Sequence, residues 1–220
     1  MSWLDGDAVR VIVTRPEGQA DELAVRLTEA GHEVVLCPLI RIEPLGDEPI
    51  DAAGYDWLVV TSANGAAEIA RRLSGRPRQI AAVGPATAAV LADHGLEVDL
   101  VPRTTSQEGL LAELPRPAGR VLVAAAEGAR PLLVDELGAD FAPLYRTVEL
   151  HPDKPPDGDL VVLASGSAAR AFTTLGVDLP AVSIGPQTTA EARHAGARVV
   201  AEAPTQDVDG ILNAIARLGS

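Results

Sequence analysis

Several residue types that support common kinds of chemistry are scarce in this sequence. Its 220 residues include one cysteine, one methionine and four histidines, and aromatic residues make up 3%. A single cysteine, Cys37, excludes an internal disulfide, and its position in an apolar run predicts a buried thiol. The histidines share no ligand spacing, so we predict no metal site.

Basic residues are also few. Eighteen Lys and Arg residues stand against 31 Asp and Glu residues, which gives a net charge of −13 and a pI near 4.6. We therefore expect no nucleic-acid partner, because phosphate binding depends on a concentrated basic surface. A polyanionic small molecule would need a local basic pocket, which screening over ~10 Å at ordinary salt permits.

No apolar run approaches the ~18–20 residues that a membrane-spanning helix requires. Hydrophobic residues nevertheless make up 47% of the chain, with a mean hydropathy of +0.14, so core material is ample. The acidic residues 1–7 show neither a basic stretch nor an apolar segment typical of a secretory signal. We expect a soluble, cytoplasmic protein without a membrane partner, and nothing demands more than a monomer.

The motifs of nucleotide and cofactor enzymes are missing as well. The chain has no Gly-rich lysine loop, no G-x-G-x-x-G fingerprint and no G-x-S-x-G elbow. We predict no cofactor, and a nucleotide-dependent transferase is disfavoured.

Short β-rich apolar runs alternate with Ala- and Leu-rich segments of helical periodicity, which is typical of a parallel sheet flanked by helices. The predicted strands are Val9–Thr14, Glu33–Leu39, Trp57–Thr61, Ile80–Val83, Val98–Val101, Val121–Ala124, Phe141–Thr147, Leu160–Ala164, Val182–Ile184 and Arg198–Ala201.

An internal repeat is visible in the order of the landmarks. A strand, a Glu-Gly pair, a helix and a Pro-Leu-x-Arg segment occupy residues 11–41 and again 121–146. Residues 58–111 and again residues 161–212 contain a strand with a polar end, a Gly-Pro-x-Thr segment, and a Thr that is followed five residues later by Gly. The repeat predicts two similar α/β domains of about five parallel strands each. It leaves open whether contiguous halves fold together or the middle forms one domain and the ends form the other.

The ordered landmarks resemble the uroporphyrinogen-III synthase family from about Val9 to Leu218. The segments that carry the resemblance are Val13–Pro16, Pro38–Pro44, Thr61–Asn64, Val83–Thr87, Leu144–Thr147, Ile184–Thr188 and Pro204–Thr205. One departure is Ala164, where the family commonly has Thr before Ser.

The resemblance implies two flavodoxin-like parallel-sheet domains joined by a two-stranded connector, with the active-site cleft between them. Residues 1–40 and 150–220 would form one domain and residues 41–149 the other, with connectors near 38–44 and 143–152. The implied enzyme is a lyase that needs no cofactor. It cyclises the linear tetrapyrrole hydroxymethylbilane to uroporphyrinogen III, losing water and inverting ring D through a spiro intermediate. Such a reaction needs conformational control and one proton donor.

Candidate substrate-binding residues follow from helix starts at strand ends. Each Gly-Pro-x-Thr segment leaves free backbone N–H groups beside a Thr hydroxyl, and the polar turns after two other strands lie where parallel sheets place ligands. Plain helix capping is the alternative for all of them. The candidates are Thr61, Ser62, Asn64, Thr87, Ser165, Gly166, Ser167, Gly185, Pro186 and Thr188.

Tyr145 is the candidate proton donor, because it matches a tyrosine of the family's motif and the first copy of the repeat has Ile40 there. The alternative is a half-buried aromatic residue with its hydroxyl at the surface. Arg15 either binds a substrate carboxylate or pairs with Glu17 or Asp21.

The sequence leaves two further questions open. Arg41 and Arg146 either contact substrate carboxylates or only solvate the connector. A different class of function is a non-catalytic two-domain module that binds a small anion or a tetrapyrrole.

Overall fold

The computed structural model describes residues 8–219; the acidic start at residues 1–7, where no secretory signal is expected, lies outside them. The strands are β1 Arg10–Val13, β2 Glu33–Leu36, β3 Ile40–Pro44, β4 Ile50–Asp51, β5 Trp57–Val60, β6 Leu73–Ser74, β7 Gln79–Ala82, β8 Val121–Ala126, β9 Asp140–Glu149, β10 Leu160–Leu163, β11 Pro180–Ser183 and β12 Arg198–Glu202. The helices are α1 Asp21–Glu29, α2 Ala63–Arg72, α3 Pro85–Asp93, α4 Gln107–Glu113, α5 Leu132–Leu137, α6 Gly166–Thr173, α7 Pro186–His194 and α8 Val208–Ala216.

The described chain divides into two compact units. Unit 1 contains the residues up to Arg41 and those from Val148 onward, and unit 2 is Ile42–Thr147. Strands β3 and β9 each run across a boundary between the units. They are neighbours in one sheet, where Leu45 N–H donates to the Leu144 carbonyl.

Unit 1 is a parallel sheet in the order β12-β11-β10-β1-β2. Numbered within the unit, this is the strand order 2-1-3-4-5 of flavodoxin-like folds. The strands are rich in Val, Ile and Leu because helices cover both faces. Val11 and Val13 of β1 face one core and Ile12 faces the other.

Unit 2 repeats this arrangement with its chain order permuted. Its sheet has the order β3-β9-β8-β5-β7, and the pairs among β9, β8, β5 and β7 are parallel. Strands β8 and β9 correspond to β1 and β2, whereas β5 and β7 correspond to β10 and β11. A small parallel pair, β4 and β6, forms a separate sheet. The predicted α/β fold with two similar parallel-sheet domains is confirmed.

The strand predicted at Val98–Val101 is wrong, because only an isolated bridge between Ala81 and Leu100 forms there. The Asp99 carboxylate accepts the N–H of Ile80 at 2.7 Å. A side chain therefore takes a backbone donor that a regular ladder would use. Unit 2 consequently lacks the counterpart of β12.

Close backbone packing explains the glycine in the last landmark of the repeat. A Cβ atom at Gly109 would lie 2.1 Å from the Thr104 carbonyl oxygen, and one at Gly210 would lie 2.0 Å from that of Thr205. Both glycine N–H groups donate to the side chain that caps the helix, Ser106 for α4 and Asp207 for α8. Any larger residue would displace the loop that lies over each helix start.

Within residues 8–219, no helix is both long enough and apolar enough to cross a membrane.

Candidate functional site

The carboxyl ends of β1, β10 and β11 lie side by side in unit 1. From β1 the next strand along the chain, β2, lies on one side, whereas β10 and the strands that follow it lie on the other. Open α/β sheets bind ligands at such a topological switch point. Arg15 follows β1, Ser165 and Ser167 follow β10, and Gly185 follows β11. The strand order thus brings Arg15 close to Ser165 and Ser167, although these residues are 150 or more positions apart in the sequence.

Arg15 is half-buried at this switch point. Among the described residues it makes no hydrogen bond or ion pair, and the carboxylate that acts on its charge is that of Glu22. Neither Glu17 nor Asp21, which are both exposed, forms an ion pair with Arg15, so the structure does not support the alternative of such a pairing. Burial lowers the pKa of the Arg15 guanidinium, which nevertheless keeps its charge at neutral pH. It is a cation available to an anionic ligand.

The corresponding edge of unit 2 holds the candidate proton donor. Ser62 follows β5 and is the N-cap of α2, where its Oγ accepts the Gly65 N–H at 3.0 Å. The Ser62 Oγ lies 2.9 Å from the Tyr145 Oη, and the Asn64 side chain also hydrogen-bonds the Tyr145 hydroxyl. We refer to Ser62, Asn64 and Tyr145 as the tyrosine cluster. Thr61 is half-buried beside it.

Tyr145 is more buried than a half-buried aromatic residue with its hydroxyl at the surface, which was the alternative expected from the sequence. Only 6% of the residue is exposed, and its ring packs in the core of unit 2 with Leu58, Val60 and Leu122. A break in register between Ala125 and Ala126 of β8 re-aligns β9 so that Ala126 faces Tyr145. Burial raises the pKa of the phenol above its ordinary value, although the hydrogen bonds with Ser62 and Asn64 act in the opposite direction.

The two Gly-Pro-x-Thr segments begin α3 and α7 as predicted. Gly84 and Gly185 are the N-caps, Pro85 and Pro186 are the first helical residues, and no side chain caps either helix. Thr87 and Thr188 are 5% and 8% exposed, and their hydroxyls make no hydrogen bond within the described residues. The first N–H groups of both helices therefore lack a side-chain acceptor.

A carboxylate of the protein lies against the start of α6. Ser165 caps this helix by accepting the Ala168 N–H at 3.2 Å, and its Oγ lies 3.1 Å from that of Ser167. Gly166 is the first helical residue, and a Cβ atom there would lie 1.8 Å from Oε2 of Glu191. The same carboxylate pairs with Arg170. Negative charge is favourable at a helix N-terminus, so Glu191 occupies a position suited to an anion.

Comparison with known proteins adds to this geometry. The sequence model of the family described as uroporphyrinogen-III synthase HemD matches residues 21–213. The chain is 32% identical to the uroporphyrinogen-III synthase of Synechococcus elongatus over 93% of both chains. It is 26% identical to the porphyrin biosynthesis protein HemD of Ruminiclostridium josui, over 96% of this chain and 48% of that protein.

The chain belongs to the uroporphyrinogen-III synthase family.

A solved structure shares the fold of this family member. It is that of a mutant uroporphyrinogen III synthase from the extremely thermophilic bacterium Thermus thermophilus, with a TM-score of 0.66 over 96% of this chain and 98% of that one. The two sequences are 16% identical, so the likeness concerns the fold.

Some contacts of this uroporphyrinogen-III synthase family member were not predicted from the sequence. Glu191 at Gly166 was missed, although the change from Ala63 in the first copy to Gly166 in the second was a visible signal. Gln206 was also missed; a Cβ atom at Gly185 would lie 2.9 Å from its Cγ. The connector arginine Arg146 pairs with Glu43 of β3 at 2.8 Å, and whether it contacts a substrate carboxylate stays a prediction.

A cavity in unit 1 lies away from these residues. Its lining residues include Arg26, His32 and Asn213, and it reaches Val9, which precedes β1. Parallel sheets place ligands at the opposite, carboxyl ends of their strands. The cavity is therefore no part of the candidate site. In the described part of the chain, no group of three or more His, Cys, Asp or Glu residues could hold a metal ion.

The contact between Gly166 and Glu191 predicts a measurable coupling. Gly166→Ala should displace the Glu191 carboxylate and lower the free energy of unfolding by up to about 1 kcal/mol, because an exposed ion pair contributes little more. In a Glu191→Ala background, the same substitution should be neutral or stabilising, since alanine is the better helix former. Urea unfolding of the four proteins measures the coupling; equal effects of Gly166→Ala in both backgrounds would contradict it.

Proposed function

We propose that this protein converts hydroxymethylbilane to uroporphyrinogen III. The observation that carries the proposal is the match to a uroporphyrinogen-III synthase over 93% of both chains. The tyrosine cluster and the available cation of Arg15 support it, because the substrate must lose a hydroxyl group and carries several carboxylates.

The reaction requires little acid–base machinery. The C–O bond of the terminal hydroxymethyl group breaks as its oxygen is protonated and leaves as water, which forms an electrophilic azafulvene. The substituted carbon of the last pyrrole attacks this centre and forms a spiro intermediate, which rearranges so that ring D is inverted before closure. One proton is released when the ring closes, so the donor is regenerated.

We assign the proton that assists this loss of water to Tyr145. Its raised pKa keeps the phenol protonated at neutral pH, so that the proton is present whenever substrate binds. Asn64 and Ser62 hydrogen-bond the hydroxyl oxygen and would stabilise the phenolate that remains. Proton transfer of this kind contributes ~100-fold or more to a rate.

We assign the substrate carboxylates to Arg15 and to the helix starts. The free N–H groups of α3 and α7 and the hydroxyls of Thr87 and Thr188 offer uncharged donors to an anion. Donors of this kind suit a polyanionic ligand in a protein of net charge −13, because they need no cluster of basic residues.

Thr188→Ala should raise the KM for hydroxymethylbilane about fivefold with little change in kcat, since one hydrogen bond contributes ~1 kcal/mol. Steady-state kinetics measure it. Thr173→Ala is the matched control, because the Thr173 hydroxyl donates within its own helix to the Arg170 carbonyl. An unchanged KM in Thr188→Ala would instead mean that the segment only starts the helix.

The test of the function is the isomer formed from hydroxymethylbilane. Spontaneous closure gives the symmetric isomer, so uroporphyrinogen III in the presence of the protein is the expected result. Only the symmetric isomer, formed at the background rate, would instead favour a non-catalytic binding module. The monomeric state, the cytoplasmic location and an interdomain cleft stay predictions; gel filtration tests the first.

A further inference from the structure

The hydroxyl of Ser62 has hydrogen-bonding capacity that capping does not use. A serine oxygen accepts two hydrogen bonds and donates one. At Ser62 one acceptor position is taken by the Gly65 N–H at 3.0 Å, and the Tyr145 Oη lies 2.9 Å away. If the phenol donates its proton to the remaining acceptor position of the Ser62 Oγ, the Ser62 hydroxyl can donate its own proton to a third partner.

Burial distinguishes the two residues of this pair. Tyr145 is 6% exposed and packs in the core of unit 2, whereas Ser62 is half-buried at the carboxyl end of β5, where parallel sheets bind ligands. Ser62 is therefore the residue of the pair that is more accessible to a ligand at this edge.

We propose that Ser62 is a catalytic proton relay: its hydroxyl protonates the leaving oxygen of the substrate and is refilled by the buried phenol of Tyr145. This rests on the proposed function and changes which residue touches the substrate. Tyr145 supplies the proton through Ser62.

The relay balances in protons. As the C–O bond of the substrate breaks, Ser62 gives its proton to the leaving oxygen, and the Tyr145 proton moves to the Ser62 Oγ. Water departs, and a phenolate remains that Ser62 and Asn64 hydrogen-bond. The proton released on ring closure returns along the same path and restores both hydroxyls.

The other serine caps show that helix capping does not require a phenol beside the serine. Ser106 accepts the Gly109 N–H at 2.9 Å, as Ser62 accepts that of Gly65, but among the described residues no tyrosine hydrogen-bonds it. Ser165 caps α6, and its hydroxyl neighbour is Ser167. Unit 2 thus offers Ser106 as a control with the same capping contact and no phenol.

The first test compares substitutions that separate capping from proton transfer. Ser62→Asn keeps a good N-cap but has no hydroxyl, so kcat should fall by about 100-fold with KM little changed. Ser62→Thr keeps both functions and should retain kcat within a few-fold. Ser106→Ala should leave kcat unchanged. Wild-type kcat in Ser62→Asn would overturn the relay.

A second test measures the pKa of Tyr145 by titration and requires no substrate. The chain has two tyrosines, so Tyr55→Phe leaves Tyr145 as the sole source of phenolate absorbance. In that background, Ser62→Ala should raise the pKa of Tyr145 further, because the phenolate loses a donor, whereas Ser106→Ala should leave it unchanged. An unchanged pKa in Ser62→Ala would also overturn the relay.

The isomer assay on the wild-type protein separates the two hypotheses. If wild type forms uroporphyrinogen III and Ser62→Asn is fully active, the relay is wrong and the proposed function stands. If wild type forms only the symmetric isomer, the proposed function fails, whatever the pKa of Tyr145.

Discussion

Tyr145→Phe should lower kcat by about 100-fold while the product that does form remains uroporphyrinogen III. The substitution removes the phenolic proton but keeps the ring that packs with Leu58 and Leu122, so the folding of unit 2 should persist. The isomer ratio should persist too, because it depends on how the ends of the bilane are held. Steady-state rates and chromatographic analysis of the isomers measure the two effects.

Tyr55→Phe is the matched control. The Tyr55 hydroxyl hydrogen-bonds Asp140 at the amino end of the sheet, away from the carboxyl ends of the strands, so kcat should be unchanged. Equal rates for Tyr145→Phe and wild type would remove Tyr145 from the mechanism.

The pH dependence of kcat should report the same phenol. Burial raises the pKa of Tyr145 above its ordinary value of about 10, so the protonated, active form is fully present below that pH. Activity should therefore not fall between neutral pH and pH ~10, and should be lost only as the pH rises through the raised pKa. A fall near pH 7 that disappears in Tyr145→Phe would contradict the direction of this shift.

The parts of the fold that the sequence predicted depend on residues that are neighbours in the chain. Periodicity identified the strands, and the Gly-Pro-x-Thr segments identified two helix starts, since Pro in the first turn and Gly at the cap are properties of a few neighbouring residues. The prediction was wrong at Val98–Val101 because a side chain, that of Asp99, replaced a backbone bond. An apolar run does not reveal such a replacement.

The contacts within the site depend instead on strand order and register. Ser62 and Tyr145 meet because β5 and β9 lie on either side of β8 and because the register shifts at Ala125. Glu191 meets Gly166 because α6 and α7 lie side by side. Neither neighbour relation is set by local propensity, which is why Ser62, Tyr145 and Gly166 were predicted as candidates but their contacts were not.

Arg15→Gln should raise the KM for hydroxymethylbilane at least 10-fold without lowering the free energy of unfolding. A hydrogen bond to a charged group contributes ~1.5–3 kcal/mol, and the substitution removes that contribution from the bound substrate. In the free protein Arg15 is half-buried and unpaired among the described residues, so its charge loses hydration without gaining an ion pair. Removing it should leave stability unchanged or higher, which is typical of a residue retained for function.

Arg26→Gln should show the opposite pattern and serves as the control. Arg26 pairs with Asp209 at 2.7 Å, joining α1 to α8, so its loss should lower the free energy of unfolding by up to about 1 kcal/mol and leave KM unchanged. Urea unfolding and steady-state kinetics on both variants provide the comparison. If Arg15→Gln loses stability and keeps the wild-type KM, Arg15 is a structural residue and the substrate carboxylates bind elsewhere.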